Sequence, residues 1–419
     1  MREMKDSGFG WLGKVPANWK VERLQWHLYE INVKNSPIRT TNVLSLTNKR
    51  GVIPYEEKGA QGNISKENYN EYHLAYKDTI VANSMNILIG SVGYSDYYGC
   101  VSPVYYVFKE KENNDLHFFN YIMQTTQFQR ELRKYANGIL EIRLRVSSDD
   151  ILKRMIAVPE YSEQKKIAKY LDEQCRKIDE IMADIQNQID TLEDYKKSVI
   201  SEAVTRGLDP EAKTTKSRIF YMAPYNKEWH LTKIGYCCKK LCRAFVPEDT
   251  ALICTNKGKV SVRPEEMTGK MVSEDNAMQG IKKGDIAIHG MDTWHGSVAY
   301  SDYDGKITRV VHVCDSTEDK RFVVYYLQQL AFNGVYKLIS NGIRGNTSDF
   351  RSWDKIANIY IALPKVDEQH RISDYLDKKC AEIDSIIEDK KAQLETIENY
   401  KKSLIYEYVT GKKKVPENE

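Results

Sequence analysis

Ile156–Thr205 reads IAVPEYSEQKKIAKYLDEQCRKIDEIMADIQNQIDTLEDYKKSVISEAVT, and Ile361–Thr410 reads IALPKVDEQHRISDYLDKKCAEIDSIIEDKKAQLETIENYKKSLIYEYVT. The two align without a gap, about 205 positions apart, and about half of their residues are identical. A long unit used twice in one polypeptide implies an approximate internal two-fold relation.

Each copy carries apolar residues at a seven-residue period. Leu171, Ile178, Ile185, Leu192 and Val199 mark the first seam; Leu376, Ile383, Ile397 and Leu404 mark the second, with Lys390 interrupting it. Ile181, Tyr195, Ile386 and Tyr400 form a neighbouring row, and Cys175, Met182, Ile189, Cys380, Ile387 and Leu394 another. After Pro159 neither Gly nor Pro occurs until Gly207; after Pro364 the same holds until Gly411. Helical regions are therefore expected at 159–207 and 364–411. One such helix cannot bury its stripe alone. At roughly 25 cal/mol per Å2 of apolar surface, two exposed seams would cost many kcal/mol, so the second helix is expected to run back along the first as an antiparallel coiled coil. Gln188 and Gln393 are expected to set its register as a polar pair.

The segments 1–158 and 218–363 are mixed, with short alternating runs such as Val104–Phe108 broken by turn residues. They echo each other faintly. Tyr94-Ser95-Asp96-Tyr97-Tyr98-Gly99 matches Tyr300-Ser301-Asp302-Tyr303-Asp304-Gly305, Asn137-Gly138-Ile139 matches Asn341-Gly342-Ile343, and Trp19 and Trp229 stand near each start. The chain thus reads as a tandem duplication of the α+β class. Two globular domains are each followed by a long helix, joined by a polar linker at 208–217 and ending in a charged tail at 412–419. A mean hydropathy of −0.57 and the lack of a long apolar run argue against a spanning helix, and no secretory leader is evident. A cytoplasmic location is expected, where the eight scattered cysteines stay thiols. A net charge of +3 leaves nucleic acid neither required nor excluded.

Asp6-Ser7-Gly8-Phe9-Gly10-Trp11-Leu12-Gly13, Val15-Pro16-Ala17-Asn18-Trp19 and the doubled Pro…Glu-Gln-x-x-Ile…Leu helix start (Glu163, Gln164, Ile167; Glu368, Gln369, Ile372) resemble the specificity subunits of type I restriction–modification enzymes. The resemblance covers essentially the whole chain. It implies two target recognition domains, each reading one half of a bipartite, asymmetric site in double-stranded DNA, with the helices as spacer and docking surface. It also implies two modification (methyltransferase) subunits carrying S-adenosylmethionine and two restriction subunits using ATP and Mg, with no membrane partner. The chain itself would be non-catalytic and hold no cofactor or metal.

The residues agree with that expectation. Every Gly-Lys is followed by Val, Met, Ile or Lys, so no phosphate-cradling loop is present, and no Pro-Pro pair suggests an amino-methyltransferase motif. Pro54-Tyr55-Glu56-Glu57-Lys58 lacks the aspartate of a nuclease signature, and His289, Asp292 and His295 do not have a common zinc spacing. Base reading needs side chains with paired donors or acceptors on loops. The candidates in the first domain are Asn48, Lys49, Arg50, Gln61, Asn63, Asn83, Asn86, Arg143 and Arg145. Those in the second are Lys257, Lys259, His289, Asp292, Thr293, Arg344, Asn346 and Thr347. Lys196-Lys197 and Lys401-Lys402 are either a solvated helix face or phosphate contacts. The competing class is a coiled-coil scaffold that binds protein rather than DNA.

Overall fold

The structure is a computed structural model that describes residues 2–47, 50–58, 68–138, 144–267, 277–340 and 350–416. Each mixed domain contains an antiparallel sheet of four strands in the same order. In the first the order is Leu28–Glu30, Tyr105–Glu110, Thr79–Asn83 and Val92–Ser95. In the second it is Cys238–Lys240, Val311–Ser316, Ile286–His289 and Val298–Tyr300. The inner strands are covered on both faces, which the two-residue period of a strand makes visible. Ile80 and Ala82 join one apolar cluster while Val81 joins another; Ile286 and Ile288 are likewise separated from Ala287.

A second pairing closes each domain. Met155–Val158 runs antiparallel to Lys20–Arg23, and Tyr360–Leu363 runs antiparallel to His230–Lys233. The last strand of each domain is thereby tied to its start just before a long helix leaves it. Those helices are Tyr161–Arg206 and Val366–Val409. The helical stretch that follows Tyr105–Glu110 is split in two, Leu116–Gln124 and Thr126–Arg133. Thr125 breaks it, its hydroxyl oxygen accepting from the Phe128 amide at 3.3 Å as an N-cap. Inside the 208–217 linker, Thr214–Thr215 pairs with Tyr225–Asn226.

The chain divides into two compact units, Met1–Ile185 with Ala392–Glu419, and Gln186–Lys391. Each unit therefore holds one mixed domain, the beginning of one long helix and the end of the other. In the first unit Lys401 Nζ meets Asp179 Oδ1 at 2.6 Å and the Tyr170 and Tyr408 rings lie 4.7 Å apart, so one index falls as the other rises. The helix segments are antiparallel. In the second unit Lys196 Nζ meets Asp384 Oδ1 at 2.6 Å and Lys390 Nζ donates to Gln188 Oε1 at 2.5 Å, again antiparallel.

Leu171, Ile178, Ile185, Leu376, Ile383 and Leu404 are buried, and Leu192, Val199 and Ile397 are half-buried. The neighbouring row differs from expectation: Ile181, Tyr195, Ile386 and Tyr400 are exposed. Two helices in contact bury a narrow seam, and the row beside it stays in solvent. The polar pairing also differs. Gln188 and Gln393 are both exposed, and Gln188 accepts from Lys390. The matched polar contacts are Lys401–Asp179 and Lys196–Asp384, one in each unit at corresponding positions of the repeat. Half-exposed ion pairs of this kind contribute at most about 1 kcal/mol each, so their role is to fix register.

Candidate nucleic-acid interface

Each mixed domain is fastened to the start of its following helix by the same set of side chains. Trp19 Nε1 donates to Glu163 Oε2 at 3.1 Å, and Trp229 Nε1 donates to Glu368 Oε1 at 3.3 Å. Glu163 also meets the Arg2 guanidinium. The next residue does more. Gln164 donates to the Pro159 carbonyl at 3.0 Å and accepts from the Asp115 amide at 2.9 Å. Gln369 donates to the Pro364 carbonyl at 2.9 Å and accepts from the Asp319 amide at 3.0 Å. Asp115 and Asp319 in turn cap the helices that follow them, accepting from Phe118 and Phe322 at 3.0 and 2.8 Å. Burial opposes the charge of Asp319, yet the Phe322 amide, the Ser373 hydroxyl and His370 hold its carboxyl below the usual aspartate value.

Gln369 is fully buried, so Gln369→Ala leaves a backbone donor and acceptor without this partner. The expected loss is about 1–3 kcal/mol for each group left unpaired. It is checked as a fall in the denaturant midpoint at unchanged slope.

At the far end of each central strand the chain makes a matched turn. Asn83 is buried, and its side-chain oxygen accepts from the Met85 amide at 3.0 Å. His289 occupies the same place in the second domain, its Nδ1 accepting from the Asp292 amide at 3.2 Å, with the Asp292 carboxylate at 3.3 Å. Burial lowers the His289 pKa, against the pull of Asp292, which suits an acceptor nitrogen. Asn86 is exposed, Asp292 is half-buried and Thr293 is buried. Both Asn83 and His289 thus spend a polar atom on shaping the turn.

A returning segment backs each turn. The Val146 amide donates to the Ser84 carbonyl at 3.0 Å, and the Phe350 amide donates to the Gly290 carbonyl at 2.9 Å. Arg145, exposed, adjoins the first. Beside the second stands Arg351, a cation that the sequence reading passed over; it is exposed and its guanidinium donates to Met291 Sδ at 3.3 Å. The signal available was its place just after the segment matching Arg143 and Arg145. His312 anchors this segment, its Nε2 lying 2.7 Å from the Phe350 carbonyl.

The hairpin candidates lie elsewhere. Arg50 pairs with Glu57 at 2.6 Å, while Lys257 and Lys259 are exposed at the tip of a hairpin whose Gly258 carbonyl accepts from Gln328 at 3.4 Å. Asn48, Lys49, Gln61, Asn63, Arg143, Arg344, Asn346 and Thr347 lie outside the described residues. Of the helix lysines, Lys196 and Lys401 bridge the helix segments, and Lys197 and Lys402 pair along their own helix with Asp194 and Glu398. Among the described residues no three His, Cys, Asp or Glu side chains are gathered as a metal ion would need, and His295 is exposed. Among the described residues no helix is long and apolar enough to cross a membrane. Of the eight free cysteines, Cys242 is exposed and the others are buried.

Residues 16–191 match the type I restriction modification DNA specificity domain. Two relatives from Methanocaldococcus jannaschii align along nearly the whole length. The type I restriction enzyme MjaVIII specificity subunit is 23% identical over 96% of this chain and 94% of its own. The putative MjaX specificity subunit is 21% identical over 96% of each. The chain thus carries a match to the type I specificity domain in its first half and is similar along its length to type I specificity subunits. A solved structure described as the structural basis underlying complex assembly and conformational transition of the type I R-M system shares the fold. Its TM-score is 0.68 at 12% identity, over 94% of this chain and 98% of that one. The doubled Glu-Gln at the helix starts has a physical reading: it is the fastening of each mixed domain to its helix.

Proposed function

We propose that this chain is a type I specificity subunit that reads a bipartite, asymmetric site in double-stranded DNA, one half per mixed domain, and directs modification and restriction subunits to it. One observation carries the reading: a single strand-and-turn framework occurs twice with different side chains on it, Asn83 and Asn86 in one domain, His289 and Asp292 in the other. Two identical heads would read a palindrome; two unlike heads on one framework read an asymmetric pair. The helices would act as the spacer between the half-sites, and catalysis would belong to the partners, which would carry S-adenosylmethionine, ATP and Mg in a cytoplasmic complex.

The exposed row of helix residues supports the partner half of the reading, with Ile181 and Tyr400 in one unit and Tyr195 and Ile386 in the other. Repetition of the same exposed pair in each unit fits two copies of one partner. Changing Tyr195 and Ile386 to Lys is expected to release one of the two modification subunits while DNA-free folding is unchanged. Mass measurement of the purified complex checks it.

The decisive experiment is a domain exchange. Replacing residues 218–363 with the same segment of another specificity subunit, and sequencing the methylated positions of host DNA, is expected to change one half of the motif and leave the other. A motif unchanged, or changed in both halves, removes the assignment.

A further inference from the structure

The ends of the two long helices meet unlike surroundings. In the first unit the Tyr406 hydroxyl donates to the Trp11 carbonyl at 2.7 Å and Lys412 Nζ donates to the Leu12 carbonyl at 2.6 Å. The Trp11 ring meets the Phe128 ring edge-on at 5.5 Å, and Phe128 is fully buried. A turn near the start of the chain is thus seated between the helix end and the domain. The polar side chains on that face of the domain are bonded. The Thr125 hydroxyl donates to the Ile122 carbonyl at 2.8 Å, and Gln129 Nε2 donates to the Gln124 carbonyl at 2.9 Å.

The second unit carries other residues at the same repeat positions. Ser201 stands for Tyr406, Tyr221 for Trp11, Gln329 for Thr125, Phe332 for Phe128 and Asn333 for Gln129. Tyr221 is spent elsewhere, its hydroxyl oxygen accepting from the Tyr360 amide at 2.9 Å. The space between helix end and domain stays open. It is a cleft of about 320 Å3, lined by Ser201, Glu202 and Arg206 from the helix and by Gln329 and Asn333 from the domain. Phe332 is exposed where Phe128 is covered. Gln329 is only 3% exposed, yet its side-chain amide has no bonding partner among the described residues. Buried amides are almost always bonded, because an unpaired one forfeits its hydration for nothing. This one is held unpaired in the wall of a cleft.

We propose that this cleft binds a peptide segment of a partner protein, one copy per chain, that brings an aromatic side chain and a backbone carbonyl to the place Trp11 takes in the first unit. The first unit supplies the template for the occupant, since a peptide of that kind is seated at the matched position there. The chemistry of the walls agrees. A carboxamide offers two donors and an acceptor, the complement of a backbone peptide group, and an aromatic ring fills a cleft of this size with little loss of rotamer freedom. A phosphate fits less well, because the cation lining the cleft, Arg206, has the Glu202 carboxylate at 3.8 Å. The inference does not depend on the DNA reading. It makes the two ends of the repeat unequal: one socket is filled by the chain itself, and the other is left for a partner.

The test uses the full chain and, as probe, a synthetic peptide of residues 7–14, SGFGWLGK, acetylated and amidated at its ends. Titration calorimetry of the natural protein is expected to show saturable binding of one peptide per chain. Gln329→Ala should weaken it roughly five- to tenfold, the worth of one hydrogen bond. Ser201→Tyr, which puts the side chain of the first unit into the cleft, should weaken it by roughly tenfold or more. The peptide with Trp11→Ala should not bind. Thermal unfolding of both protein variants should match or exceed that of the natural chain, and Gln329→Ala, the milder change, decides the matter if Ser201→Tyr fails to fold. No saturable binding at millimolar peptide would mean that the cleft holds only water, and the inference falls. It falls equally if both folded variants bind as the natural protein does, if two peptides bind per chain, or if the Trp11→Ala peptide binds as well. N-acetyl-tryptophanamide binding as tightly as the peptide would assign the cleft to a small aromatic ligand instead. The test contains no DNA, so neither outcome bears on the sequence-reading function.

Discussion

Residues 208–419 expressed alone are expected to form a dimer. The second unit is completed by the end of the first long helix: Ile200, Ala203 and Val204 are buried in one cluster with Ile372, Leu376 and Cys380. Removing the first repeat strips that cover. Exposing several such side chains costs about 1.5–3 kcal/mol each. A second copy supplies the missing partners, because Ile405, Tyr408 and Val409 stand at the repeat positions of Ile200, Ala203 and Val204, and Lys401 at that of Lys196. The dimer would be isologous, and with modification subunits it would methylate a palindrome built from one half of the natural motif. Analytical ultracentrifugation and methylation mapping check this. A well-folded monomer at micromolar concentration would contradict it.

The second large effect concerns the fastening of the first domain. Trp19 is 1% exposed, meets the Phe118 ring edge-on at 6.3 Å, and has the Arg2 guanidinium 5.4 Å from its own ring centre. Trp19→Ala removes the largest fully buried side chain and is expected to cost about 3–5 kcal/mol. For a unit of this size that lowers the melting temperature by on the order of 10 °C. Trp19→Phe separates the two contributions. It keeps an aromatic ring but loses the indole N–H to Glu163, a bond to a charged group worth about 1.5–3 kcal/mol. Calorimetry should therefore rank the natural protein above Trp19→Phe and that above Trp19→Ala. Equal melting of all three would show that the indole does not hold the domain.

The long helices were legible because a seven-residue period, an absence of Gly and Pro, and a gapless repeat all point to one object. Their antiparallel pairing followed from the cost of two bare seams, and Asp179–Lys401 and Asp384–Lys196 express it. The width of the seam was not legible. Ile181 and Tyr400 are as apolar as Ile178, and only the distance between two particular helices decides which row is covered. The fastening was half legible. The doubled Glu-Gln and the paired tryptophans stand out in the sequence, but Trp19 and Glu163 are 144 positions apart, and only the fold joins them. The turns show the same limit. Asn83 and His289 look like free polar groups in a loop, whereas each is turned back onto its own backbone.

Seven of the eight thiols are shut away in the cores, which leaves Cys242 as a natural attachment point for a single dye. A maleimide fluorophore would mark the second mixed domain alone, with no engineered change anywhere in the polypeptide. On the proposed two-half reading, its anisotropy and quenching would follow that domain's engagement with a target independently of the first, giving a spectroscopic clock for the order in which the two halves are found.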